Sequence, residues 1–159
     1  MDIRYEYLKD SEIDSFIELM EDAFSINAEY DSIKKSLYSD NTKFLCAKDD
    51  DKIVGTIMIT VKVDPIKNRK SFYLDYVSVL SSYQNKKIGR NMMLEVEKIA
   101  KENGITYIEF TSNKKRVNAR KLYSSLGYDE RDTGVFIKRM WYLWRFIHVM
   151  KEKLNGIRK

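Results

Sequence analysis

One cysteine, Cys46, and one histidine, His148, are all that this 159-residue chain has of either type. A single cysteine excludes an intramolecular disulfide framework. With no signal-peptide pattern at the N-terminus, the expected compartment is the reducing cytoplasm. A lone histidine removes the residue types that a Ser-His-Asp triad or a His-rich metal site requires, so no metal is expected. No uninterrupted apolar run reaches membrane-spanning length. A broad excess of positive charge is missing too. The net charge is +5, but from Trp141 onward Arg145, Lys151, Lys153, Arg158 and Lys159 face Glu152 alone, so +4 lies in the tail and +1 in everything before it. Nucleic-acid surfaces spread basic residues along a face, and a nearly neutral body argues against one.

What is present describes a globular chain, with 43% hydrophobic and 33% charged residues and length enough for one domain with a real core. Ile3 to Tyr7 alternates as a strand does. Asp10-Ser11 is expected to cap a helix that presents Ile13, Phe16, Ile17 and Met20 on one face. A weaker helix is expected from about Tyr30 to Leu37. Thr42 to Ala47 and Lys52 to Val63 read as strands, joined as a hairpin through the turn Asp49-Asp50-Asp51. Cys46 falls inside the first of these, where a small buried core residue is its plain reading. Pro65 to Lys70 reads as a polar loop.

The chemistry is expected between Phe72 and Asn103. Phe72 to Val79 is β-branched and aromatic, as a strand buried on both faces would be. It runs into the polar turn Ser81 to Gly89. A helix follows, with Met92, Met93, Val96, Ile99 and Ala100 on one side and Asn103-Gly104 as its stop signal. A strand that ends in a tight turn against a helix N-terminus points several N–H groups at one spot, where the helix dipole adds positive charge. Such a spot suits a phosphate or pyrophosphate, although many strand-turn-helix units bind nothing. Beyond Gly104, Thr106 to Thr111 reads as a strand, Arg116 to Leu126 as a helix ended by Gly127, and Val135 to Met140 as a last strand. The order β-α-α-β-β-β-α-β-α-β describes a mixed α/β domain, with helices flanking a mostly antiparallel sheet.

Two spaced patterns together resemble the GNAT superfamily of N-acetyltransferases. Gln84-Asn85-Lys86-Lys87-Ile88-Gly89 is similar to that family's Gln/Arg-x-x-Gly-x-Gly/Ala turn. Arg116-Val-Asn-Ala119-Arg-Lys-Leu-Tyr123-Ser-Ser-Leu-Gly127-Tyr128 is similar to its Ala-x-x-x-Tyr-x-x-x-Gly-aromatic segment. The resemblance covers about residues 3 to 140. It implies acetyl transfer from acetyl-CoA, by direct attack of a primary amine on the thioester carbonyl in a ternary complex. It also implies that Val77, Ser78 and Val79 hold the pantetheine, and that Gln84, Asn85, Lys86, Lys87, Ile88, Gly89 and Arg90 hold the pyrophosphate, with Asn113 and Arg116 completing the cofactor-binding set. Tyr123 is then the acid that protonates the departing sulfur, and Asp75 stands where relatives often carry a glutamate base. Otherwise Tyr123 reads as a core tyrosine and Asp75 as a structural carboxylate at a strand bend.

One departure stands out: Lys87 occupies the position of the family's first glycine, where a lysine either crowds the phosphates or contacts one as a charged donor. A coenzyme A-binding regulatory domain without turnover is therefore the alternative reading. The resemblance also implies that the acceptor, a small-molecule or peptide amine, lies along about Ser25 to Asp40 and Asp129 to Gly134. The tail, residues 141–159, follows a domain of residues 1–140. It reads as an extra amphipathic helix, with Leu143, Phe146, Ile147, Met150, Leu154 and Ile157 on one stripe. Docking on its own domain or on a second subunit is the favoured reading over a membrane surface.

Overall fold

A computed structural model describes residues 2–138, which fall into two compact units, one ending at Leu122 and one beginning at Tyr123. The expected helix and strand from Trp141 onward and at Met140 lie outside the described residues. In the first unit, five strands form one sheet in chain order: β1 (Ile3–Tyr7), β2 (Thr42–Asp49), β3 (Lys52–Asp64), β4 (Arg69–Val79) and β5 (Tyr107–Phe110). The first four pair antiparallel as a meander, and β4 pairs with β5 in parallel. The helices are α1 (Ile13–Phe24), α2 (Tyr30–Leu37), α3 (Ile88–Glu102) and α4 (Val117–Ser125), the last running across the unit boundary. α3 supplies the crossover that a parallel pair requires.

Cross-strand partners share a face. Glu6, Cys46, Thr56 and Ser78 therefore line one side, with Phe44, Met58 and Asp75 in the adjacent row. This is the α1 side, for the Phe16 ring meets the Phe44 ring edge-on at 5.1 Å. The opposite side carries Ala47, Gly55 and Val79, over which Met92 of α3 lies. Ile88, Met92, Met93, Val96 and Ala100 of α3 are buried there, and Ile99 is half-buried.

Several expectations need correction. The first helical turn, Asp10–Glu12, is 3-10, and neither Asp10 nor Ser11 caps it: the Lys9 N–H donates to the Glu12 carboxylate at 2.8 Å. Leu19 is buried on α1, whereas Ile17 is half-buried. Arg69 and Lys70 belong to β4 rather than to the loop, because β3 and β4 pair out to Asp64–Arg69. β4 is not buried on both faces: Phe72 and Leu74 are, but Tyr73 and Asp75 are half-buried and Tyr76 is exposed. In the second unit, α4 ends ahead of Gly127 at φ +86, and Val135–Lys138 forms no strand, with Val135, Phe136 and Ile137 exposed.

Lys48, unremarked in the sequence, is the largest side chain with almost no exposure. Its Nζ donates to Glu12 at 2.8 and 2.9 Å, to Glu6 at 3.1 Å and to the Tyr7 carbonyl at 3.4 Å. Burial pulls its pKa down, yet the bonds from Glu12 and Glu6 push it further the other way, and the net shift is upward. The ion cluster ties β1, β2 and the first turn before α1 together.

Candidate active site

β4 is interrupted where chemistry was expected. Thr56 pairs with Ser78 but Met58 pairs with Asp75, so Tyr76 and Val77 together oppose Ile57 alone. Tyr76 carries the extra residue's strain at φ 51, a region that a bulky side chain rarely enters. The parallel pairing with β5 covers only Ser71 to Leu74. Among the described residues, β4 beyond Leu74 thus has no strand partner on its β5 side. Val77, Ser78 and Val79 all lie in this stretch. The Ser78 hydroxyl is buried without a hydrogen-bond partner among the described residues. Arg116 reaches the same stretch, its Nη2 donating to the Val77 carbonyl at 3.2 Å. Asn113 holds the approach, its carbonyl accepting from the Arg116 N–H at 2.9 Å and its side chain from the Lys115 N–H at 2.9 Å.

The open strand leads within a few residues to the turn. Ser81–Tyr83 forms a 3-10 turn, and Asn85 and Lys87 then take left-handed conformations at φ 61 and 63. Left-handed residues in such a turn aim successive amides inward, a concavity suited to anions. Lys87 adopts the backbone shape that glycine would have supplied, so its departure from the pattern leaves the turn intact. Its side chain is exposed. Lys87 is also the N-cap of α3, without a side-chain cap bond, and no acidic residue occupies the first turn. Instead Lys86 and Lys87, both exposed, stand where the dipole favours negative charge. Tyr83 anchors the turn through its hydroxyl, which donates to Asp49 at 2.8 Å, and Lys86 sits 4.6 Å above its ring. Gln84 folds back to the Val79 carbonyl at 3.4 Å. Ile88 is buried and orients the helix, and Gly89 has only ordinary contacts, 3.7 Å from Leu122 and Val79, where a Cβ would stand.

Asp75 sits one residue before the bulge on the α1 face. Partial burial raises its pKa, against a smaller lowering by Lys62. Among the described residues nothing bonds its carboxylate, so it is available to a proton donor. Tyr123, on α4 in the second unit, is buried, and its carbonyl closes the helix by accepting from the Leu126 and Tyr128 N–H groups. Cys46 is fully buried, and burial pushes its thiol up to about 12. Among the described residues no cluster of three potential metal ligands exists. The signal missed in the sequence is the bulge: nothing in Asp75-Tyr76-Val77 marks a positive φ.

A mixed five-stranded sheet whose fourth strand is bulged open just ahead of a helix N-terminus is the architecture of the GNAT acetyltransferases. The chain belongs to that family, for the model described as "Acetyltransferase (GNAT) family" matches residues 5–128. It is 27% identical over 124 residues to N-acetyltransferase 8B of Rattus norvegicus, covering 77% of this chain and 54% of that protein. The chain spans about half the length of the curated relatives it matches. The same fold occurs in the ribosomal-protein-alanine N-acetyltransferase of Brucella melitensis biovar Abortus 2308, with a TM-score of 0.75, 16% identity, and coverage of 88% of this chain and 100% of that one. It also occurs in AAC(6')-Iy in complex with the bisubstrate analogue CoA-S-monomethyl-acetylneamine, with a TM-score of 0.76, 12% identity, and coverage of 87% of this chain and 99% of that one.

Proposed function

We propose that this chain is an acetyl-CoA-dependent N-acetyltransferase that acts on a primary amine. The observation that carries the reading is the continuity of the end of β4, which among the described residues has no strand partner on its β5 side, with the left-handed turn and the start of α3, which Lys86 and Lys87 flank without a side-chain cap. A linear donor with a pyrophosphate at one end and amide groups along its length matches both features. The neighbour solved with a coenzyme A bisubstrate analogue supports the same choice of donor. Turn amides from Gln84 to Arg90 hold the pyrophosphate, with Lys86 and Lys87 as charged donors. Backbone groups of Val77, Ser78 and Val79 orient the pantetheine, and Arg116 yields or shares the Val77 carbonyl as the donor seats.

Bound acetyl-CoA supplies an activated acyl carbon. Alkyl ammonium groups have pKa values of about 10.4 and cannot attack while protonated. Asp75, its pKa raised, accepts that proton directly or through a water. The free amine forms the new C–N bond as the C–S bond breaks, Tyr123, as a neutral phenol, gives its proton to the sulfur, and the proton shed by the acylated nitrogen restores the phenol. Products are the N-acetylated amine and free coenzyme A. The acidic residues Glu29 and Asp31, near the start of α2, suit a cationic acceptor.

A panel of amines incubated with acetyl-CoA, with released thiol as the readout, tests the reading. Thiol release that depends on one class of amine is expected. Release that no amine stimulates, although coenzyme A binds, would favour a regulatory coenzyme A-binding domain.

A further inference from the structure

The bulge in β4 is strained, and strain persists only where the surroundings over-determine it. The last turn of α1 supplies that constraint from two sides. Phe24 meets the Tyr76 ring edge-on, 5.5 Å between centroids at an interplanar angle of 87°. Two residues earlier, the Asp22 carboxylate accepts from both the N–H and the hydroxyl of Ser81, at 3.4 and 3.3 Å. Tyr76 opens the bulged stretch, and Ser81 follows its end. One helical turn therefore grips both ends of the segment that presents Val77, Ser78 and Val79. That turn is itself firmly closed, Ser25 at φ 54 donating to the Glu21 carbonyl at 2.9 Å and Ile26 to the Met20 carbonyl at 3.4 Å.

We propose that Phe24 and Asp22 are positioning residues, a brace that holds β4 in its bulged form so that its backbone is preset for the acetyl donor. The inference rests on the acetyl-CoA reading above. It gives the C-terminal turn of α1 a role in donor binding, although neither side chain needs to touch the donor.

The test is coenzyme A affinity, by calorimetry on the full chain, alongside thermal melting without ligand. Phe24→Leu keeps apolar volume but removes the ring edge, and should weaken coenzyme A binding about threefold to tenfold, as the loss of one edge-to-face contact implies. Phe24→Tyr should restore it. Tyr76→Gly lets the bulge form without backbone strain, so in that background Phe24→Leu should change affinity less than about twofold. Asp22→Ala, at an exposed position that folding tolerates, should weaken binding in the same direction. A lowered melting temperature with unchanged affinity in Phe24→Leu and Asp22→Ala would make the contacts merely structural and overturn the brace. An undiminished effect in the Tyr76→Gly background would do the same. If the unaltered chain binds no coenzyme A, the donor reading itself fails; if it binds and the variants bind equally, the brace alone fails.

Discussion

In the proposed reaction Asp75 and Tyr123 carry opposite proton transfers, and each proposed role has its own kinetic signature. Asp75→Asn should move the pH–rate profile toward higher pH, because the variant must wait for amine that has already lost its proton; a profile that stays in place removes Asp75 as base. Tyr123→Phe should slow transfer by ~10²–10⁴-fold while coenzyme A affinity holds, since acid assistance is worth that much and positioning is untouched. Unchanged turnover would return Tyr123 to the core. Lys48 is a matter of stability rather than catalysis. Removing one member of a buried ion cluster costs about 3 kcal/mol at the lower end of the usual range, fitting here because Glu6 and Glu12 are partly exposed to water. A urea midpoint for Lys48→Ala within error of the parent would contradict this. Its raised pKa means that its contribution is complete below about pH 10.4 and is lost as pH climbs through the folded-state value. Glu6, lowered chiefly by its hydrogen bond to Lys48, contributes above its ordinary value near 4.5 and loses that contribution as acid carries pH down through the folded value.

At the scale of elements, the glycines separate close packing from mere resemblance. Gly55 on β3 lies under α3, where a Cβ would stand 2.9 Å from the Met92 sulfur and 3.1 Å from the Ser78 carbonyl. Gly55→Ala should therefore cost about 1–3 kcal/mol as Met92 shifts, and thermal melting checks it. Gly89, part of the family's turn pattern, has room for a methyl group. Most elements were legible: the buried stripe of α3 follows the 3.6 repeat, and β2 and β3 are apolar runs on either side of an acidic turn, each with five successive buried residues. The Gln84 to Gly89 turn was legible through its spacing. The bulge was not, since tyrosine has no preference for positive φ and is held there by tertiary contact. The start of α1 departs from expectation for a related reason: Glu12 reaches back to Lys9, so Lys9 rather than Asp10 or Ser11 is the N-cap of the first turn. Lys48 escaped notice because a lysine in a strand usually faces water, and its two carboxylate partners lie 42 and 36 residues away in sequence.

For the whole molecule, the distribution of charge matters more than its sum. The body is nearly neutral, yet the exposed Lys86 and Lys87 concentrate positive charge at one helix start. Affinity for coenzyme A should consequently fall as ionic strength rises, because exposed cations are screened within a Debye length of about 8–10 Å. A salt-independent affinity would mean that the phosphates sit elsewhere. Among the described residues no helix is long and apolar enough to cross a membrane. Hydrogen exchange of the backbone amides, with and without coenzyme A, addresses the central claim most directly. Slowed exchange concentrated between Gln84 and Arg90, with a second zone at Val77 to Val79, is the expected result. Exchange there that is indifferent to saturating coenzyme A, or protection confined to other segments, would contradict it.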